Sequence, residues 1–548
     1  MLAVFFAWST VGLFAAGQTD ADPAGGSSRV DGGIVAVYLK DNNKEAVLGL
    51  PQVKYGQAAV SWAQIQPEKG KYDFSSLERQ LADYAKRGMR VTVEISGYIK
   101  PHYLFNEVPY VKETGKEVAS FVQVKNTEGT LMFWHPAYER AFVSCLTAFR
   151  NFIAASPYKK SIFGLRMNFN PFGCETFTVS PPEAAKKLAD RNAWIRPPGL
   201  DQTIPYEGWS QKAGDDYMRR ILQKHRELFA GVVPVFLPTY VPKSLYSEYK
   251  EHLENGTGVL FATDSLFAPI SRHSEDRWSL FLEYCKTGKT LGYAEPMANA
   301  WGVRGKKDAY ILPPVQAFYW RLLCDLHKGN SYIACYGGDL AVAVTGEFHS
   351  AQYNIHHNDR ATGENFKGEF SNALTFAALY AGYHAKPELS PGAWIALRGS
   401  DAAANAEKPD DKLSVFTGDY TFFMEREADK SRGVMHIGPD AIRYGGYARE
   451  LPANETMRFK LNEKFAASLA GKPATLSVTY FSDAPNGTFT VSAGDKIFSV
   501  AMKGGKKWET AEFAISGSLL SAKTGESITI RSGTAPLTLH LVEVKRQH

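Results

Sequence analysis

Cysteine is scarce in this chain: Cys145, Cys174, Cys285, Cys324 and Cys335 are the only ones among 548 residues. Their number is odd and none stands in a CxxC spacing, which argues against a disulfide framework. Most are expected to be small buried hydrophobes. His102, His135, His356 and His357 form no ligand spacing with them. No metal site and no cofactor are therefore expected.

A Lys/Arg stripe is also missing. Net charge is +5 with acids and bases interspersed, so nucleic acid is not an expected partner. Long apolar runs are absent beyond the first 17 residues, and that first run is short for a membrane span. It is uncharged, and small residues and a flexible-looking stretch, 20–28, follow it. This matches the apolar region and cleavage zone of a secretory signal, without the usual basic start. Residues 1–28 are expected to be a leader, and the protein to be secreted or periplasmic. No cysteine follows the run, which argues against a lipid anchor. None of these features speaks to oligomeric state.

Length and texture supply the rest. A chain of 548 residues suits two or three domains. From about residue 30 to 385, short apolar runs alternate with amphipathic stretches. The runs are 34–39, 57–62, 90–95, 162–168, 232–237, 259–263, 291–294 and 331–336. Helical spacing recurs over 75–87, 136–153, 215–229, 276–286, 315–328 and 370–383. A loop-rich insertion, 180–209, breaks the rhythm. Eight strand–helix units predict a (β/α)8 barrel over 29–389. The alternative is an open doubly wound sheet, but no Gly-rich phosphate loop follows the first strand. After about residue 387 the pattern changes to short alternating strands with turn signals at Pro485–Asn486–Gly487 and Gly504–Gly505. Residues 390–548 are expected to be a linker and an all-β, jelly-roll-like sandwich.

Barrel active sites lie at the carboxyl ends of the strands. Glu175 follows the fourth expected strand, on a loop turned by Asn170–Pro171 and Gly173. Glu295 closes the seventh, where Pro296 ends ladder bonding. A carboxylate among apolar neighbours costs desolvation unless it is paired or used. The structural alternative for Glu295 is an ion pair with a barrel arginine such as Arg166, and for Glu175 a solvated loop. Two facing carboxyls are what glycoside hydrolysis needs: one protonates the leaving oxygen, the other attacks or activates water. Trp62, Asn168, Asn170, Tyr240, Asp264 and Trp301 stand near strand ends and are candidate sugar-binding residues. Trp194 and Trp209 of the insertion are candidates to wall the cleft.

The run Val60-Ser-Trp62-Ala-Gln-Ile-Gln66-Pro67-Glu-Lys-Gly70-Lys-Tyr72-Asp73-Phe74 resembles the second strand and helix of clan A glycoside hydrolases, most closely the β-galactosidase-like families 42 and 35. These carry a W-x(3)-E-P-x(2)-G-x-Y-D-F pattern, from which Gln66 departs. The resemblance implies a retaining mechanism, with Glu175 as acid/base and Glu295 as nucleophile on a β-linked oligo- or polysaccharide. The clan's adjacent Asn-Glu pair is absent before Glu175, and the loop there is also similar to the acid loop of β-amylases. An inverting enzyme, a non-catalytic carbohydrate-binding barrel and a polysaccharide lyase therefore stay open as readings.

Overall fold

A computed structural model describes residues 31–113, 128–170, 182–239, 242–255, 258–263, 280–296, 312–347, 366–398, 418–520 and 528–547. Eight parallel strands close into a barrel. They are β1 (Gly33–Val37), β2 (Val53–Ser61), β3 (Arg90–Ser96), β4 (Ile162–Arg166), β5 (Val235–Pro238), β6 (Gly258–Thr263), β7 (Gly292–Glu295) and β8 (Asn330–Tyr336). The order round the barrel is the order in the chain, and β8 closes on β1 with Val37 opposite Tyr336. All eight strands lie where the apolar runs predict them, with ends displaced by up to four residues.

Alternation along the strands sorts side chains between two cores. Val35, Val37, Tyr55, Phe163, Phe236, Val259, Tyr293, Tyr332 and Ala334 fill the barrel interior. The alternate residues, such as Ile34, Val91, Val93 and Ile333, pack outward under the helices. Gly164 points inward, and a Cβ there would stand 2.2 Å from the Phe236 ring. Glycine at this position lets that ring cross the interior.

The helices Ser75–Lys86, Pro136–Ala155, Gln211–Phe229, Pro314–Lys328 and Lys367–Tyr380 match the expected amphipathic stretches. Of the stretch 276–286, the described part forms a single π-helical turn, Phe281–Cys285. The helices Tyr246–Glu254 and Gly337–Thr345 are additions. They are short, at 9 residues each, which leaves little periodicity to read. Cys145, Cys285, Cys324 and Cys335 are buried free thiols, and Cys174 lies outside the described residues.

Beyond the barrel, a seven-stranded and a five-stranded sheet enclose a second core. All strand pairs within these sheets are antiparallel. The first strand of this sandwich, Gly392–Ala396, lies in the stretch read as linker, and it pairs with Leu541–Lys545 along the strand Leu537–Arg546. One face of the seven-stranded sheet is continuous with the barrel core through Trp394, Tyr420, Phe422, Tyr447 and Leu541. The helix Pro314–Lys328 is clamped between the two, and nearly every residue in it is buried. Its buried charges are paired: Arg321 meets Asp325 at 3.0 Å, Lys328 approaches the same carboxylate at 3.7 Å, and the buried Asp339 of the following helix adds a second negative charge acting on Arg321.

Histidines in this seam are buried and neutral. Desolvation holds His384 at about 4 and His540 at about 3. The His384 Nε2 contacts the Leu326 carbonyl at 2.6 Å, and the His540 Nδ1 that of Tyr447 at 3.1 Å. In the unfolded chain both would take up protons below about pH 6.5. The folded state therefore keeps its full stability above that pH. It loses about 1.4 kcal/mol per pH unit for each histidine as pH falls toward 4. Thermal unfolding of the wild type and of His540→Gln at pH 7.5 and 4.5 checks this. The variant is expected to show the smaller fall between the two pH values; an identical fall would contradict the assignment.

Candidate active site at the carboxyl ends of the strands

Glu295 is the last residue of β7 and shares the inward side of the strand with Tyr293. It is 2% exposed. Arg166, the last residue of β4, reaches across the barrel and places Nη1 2.7 Å from its Oε2. The same nitrogen stands 3.5 Å from Oε2 of Glu94 on β3. Arg166 also lies over the Tyr293 ring, 5.9 Å from its centroid. Gln57 on β2 donates to Glu94 at 3.2 Å. Four strands thus contribute to one buried polar layer, which rests on the aromatic floor of Tyr55, Phe163, Phe236, Tyr293 and Tyr332.

This is the partner that the structural alternative named for Glu295, and it does not exclude a functional role. A guanidinium at this distance favours the charged form of a carboxyl. A carboxyl beside a cation at the carboxyl end of a barrel strand also suits a nucleophile.

The exit of β4 is fixed rigidly. Asn168 accepts a hydrogen bond from the Asn170 amide at 2.6 Å and directs Nδ2 toward the Ile95 carbonyl at 3.4 Å and Glu94 at 3.5 Å. Asn170 has φ of +59°, a left-handed conformation that asparagine tolerates. Lys100, itself buried, donates to the Asn170 carbonyl at 2.7 Å, to its Oδ1 at 3.0 Å and to the Gly97 carbonyl at 2.8 Å. The Tyr138 hydroxyl donates to the same Asn170 carbonyl. Asn168 and Asn170 therefore anchor the chain where it leaves β4. Glu175, Tyr240, Asp264 and Trp301 lie outside the described residues.

Trp62 is corrected by its surroundings. It is fully buried, packed on Tyr138 and Phe142 of the helix Pro136–Ala155 with ring centroids 5.6 and 5.3 Å away. It opens a short helix, Trp62–Ile65, capped by Ser61, and packs in the core between the strands and the helices. Its Nε1 donates to Gln66 Oε1 at 2.8 Å, and Gln66 Nε2 donates to the Tyr72 hydroxyl at 3.1 Å. The Trp–Gln–Tyr spacing in the family-like run is thus a packing device. Glutamine serves it as a neutral acceptor and donor in a buried place.

Trp194 and Trp209 also depart from the expectation that they face the cleft. Both are over 90% buried and pack on Trp134, each with ring centroids 5.2 Å apart. They form a small core for the insertion. Ile195 exchanges backbone hydrogen bonds with Tyr110, which ties the insertion after β4 to the short antiparallel pair Tyr110–Val111 and Thr130–Leu131 after β3.

Glu94 and Arg166 complete the layer, and Lys100 braces the exit of β4 beside it. The signal for Glu94 is a charge on the parity of β3 that it shares with Thr92, while the alternate residues Val91, Val93 and Ile95 are apolar. Among the described residues, no group of three His, Cys, Asp or Glu side chains could hold a metal ion, and no helix is long and apolar enough to cross a membrane.

Removing the cation isolates two buried carboxylates. Arg166→Met is expected to destabilise the fold by about 3–5 kcal/mol, as for other broken buried pairs. Adding Glu295→Leu is expected to recover at least about 1 kcal/mol of this loss. Urea unfolding of the single and double variants measures both, and strictly additive losses would rule out the coupling.

Residues 44–160, about a fifth of the chain, match the model of glycoside hydrolase family 42, described as β-galactosidase. No curated protein matches the chain. Among solved structures, it is similar to the cold-adapted β-galactosidase of Rahnella sp. R3, with 14% identity and a TM-score of 0.36 over 65% of this chain and 58% of that one. The glycosylated endo-β-1,4-xylanase of Gloeophyllum trabeum gives 9% identity and a TM-score of 0.35 over 63% and 96%. A carbohydrate-binding module of Cellvibrio mixtus lichenase 5A, in complex with cellotriose, gives 12% identity and a TM-score of 0.17 over 23% and 91%. The chain thus spans under two thirds of the length of the Rahnella enzyme. The chain is a closed (β/α)8 barrel followed by an all-β sandwich, and within the barrel residues 44–160 match the family 42 model.

Proposed function

We propose that the protein is a glycoside hydrolase acting on a β-linked oligo- or polysaccharide. The observation that carries the proposal is Glu295: a buried carboxylate at the end of β7, ion-paired to Arg166 at 2.7 Å, in a barrel whose family 42 segment is recognisable. Glu295 is the nucleophile and Glu175 the acid/base of a retaining mechanism. Attack by Glu295 at the anomeric carbon releases the leaving oxygen, protonated by Glu175. Water, deprotonated by Glu175, then breaks the glycosyl ester. Arg166 keeps Glu295 ionised and aimed. Tyr240, Asp264 and Trp301, at or beyond strand ends, contribute to sugar binding. The apolar leader supports export, so the substrate is met outside the cytoplasm.

Glu295→Gln is expected to reduce hydrolysis to background with the fold intact by circular dichroism. Glu175→Gln is expected to lose about 10²–10⁴-fold in kcat on unactivated glycosides. A 2-deoxy-2-fluoro glycoside should label Glu295, read by peptide mass, and the first-formed product should keep the β-anomer by NMR. Full activity in Glu295→Gln would overturn the mechanism.

A further inference from the structure

Tyr38 follows β1 at the barrel mouth and has φ of +50°. A bulky side chain is a true outlier in that region, and such strain gathers at functional sites. Among the described barrel residues, only Tyr38 and Asn170 are non-glycine residues with positive φ, and both follow the carboxyl end of a strand. Asn170 is held by four hydrogen bonds to its backbone and side chain. Tyr38 instead presents its ring to solvent, 52% exposed. Among the described residues few large hydrophobic side chains are exposed, and Tyr38 is one of them; Ile99, just past the end of β3, is another.

The ring does not stand alone. Tyr336, the last residue of β8, lies with its ring centroid 4.9 Å from that of Tyr38, the planes tilted by 50°. Tyr336 shares its inward parity with Tyr332 and Ala334 and packs on the interior core. A side chain at Gly337 would meet the Tyr38–Leu39 backbone at 3.1 Å, so glycine there lets the strained turn seat against β8. The register sets the height of the pair. Ala294 on β7 is level with Ile333 on β8, so Glu295 is level with Ala334. Tyr336 is two residues further toward the mouth, about 7 Å along the strand.

We propose that Tyr38 and Tyr336 form an aromatic platform that stacks on the C–H face of a pyranose ring, one subsite beyond the sugar seated on Glu295. The platform rests on the glycosidase reading for its substrate class. It implies that the enzyme takes oligosaccharides along the β1–β8 side of the mouth, opposite the insertion after β4. The left-handed backbone at Tyr38 is retained because it swings the ring over the mouth.

The test compares wild type, Tyr38→Phe, Tyr38→Ala and Tyr38→Gly on β-1,4-linked xylohexaose, cellohexaose and galactohexaose, and on the matching 4-nitrophenyl monoglycosides. Removing the ring is expected to raise the ratio of oligosaccharide KM to monoglycoside KM about tenfold, the size of one aromatic contact. Phe is expected to retain the wild-type ratio. Gly is expected to raise Tm while weakening oligosaccharide binding, as strain is released. Titration of the same hexaoses by calorimetry reads binding without turnover. An unchanged ratio and unchanged affinity in Tyr38→Ala, in a wild type that hydrolyses, overturn the platform and leave the glycosidase reading standing. Binding that is lost in Tyr38→Ala, with no hydrolysis by wild type, overturns the glycosidase reading and keeps the platform. A wild type that neither binds nor cleaves any of these glycans overturns both.

Discussion

The ion pair between Arg166 and Glu295 is the constraint around which the barrel is organised. Three charges, with Glu94, meet in a layer almost closed to water. Removing such groups from water is expensive, and only close pairing offsets it. The chain meets that condition by drawing charges from β3, β4 and β7 to one level. A closed barrel of fixed register is what makes this possible: residues some 70 to 200 positions apart in sequence become neighbours. The aromatic layer beneath supplies the dry floor, and the absence of a side chain at Gly164 lets Phe236 complete it.

The second constraint is the seam with the sandwich. The helix Pro314–Lys328 is buried nearly all round and carries buried charges that must pair with one another and with the neighbouring helix. A helix covering a barrel alone would show a polar face. Strand Leu537–Arg546 is likewise buried on both faces over most of its length. Both are explained by one continuous core running from the barrel helices into the seven-stranded sheet. Because that sheet completes the packing of the barrel, its role here is structural as well as whatever its outer surfaces do.

Particular residues show how far the sequence could be read. The alternation of apolar runs and amphipathic stretches located all eight strands, because each strand is set by neighbours a few residues away. Glu295 was legible as a charge closing an apolar run before a proline. Trp62 was misread because a residue at a strand end can continue inward or start the next helix, and only the Ser61 cap decides which. Trp194 and Trp209 were misread because loop tryptophans look the same from sequence whether they line a cleft or fill a small core. Glu94 was passed over inside a strand, although its parity with Thr92 marks it as inward-facing. Tyr38 was absorbed into the first apolar run, where nothing signals its backbone.

By itself, then, the sequence determined the class of fold, the number of strands, the change to β structure after the barrel and the carboxylate at the end of β7. These follow from short-range periodicity and from the cost of a charge among apolar neighbours, both local properties. The tertiary structure alone decided that a second carboxylate, Glu94, shares the cation paired with Glu295, and which aromatic rings are buried and which stand at the mouth. Those depend on register and closure, which bring distant strands to a common height and which no short stretch of chain encodes.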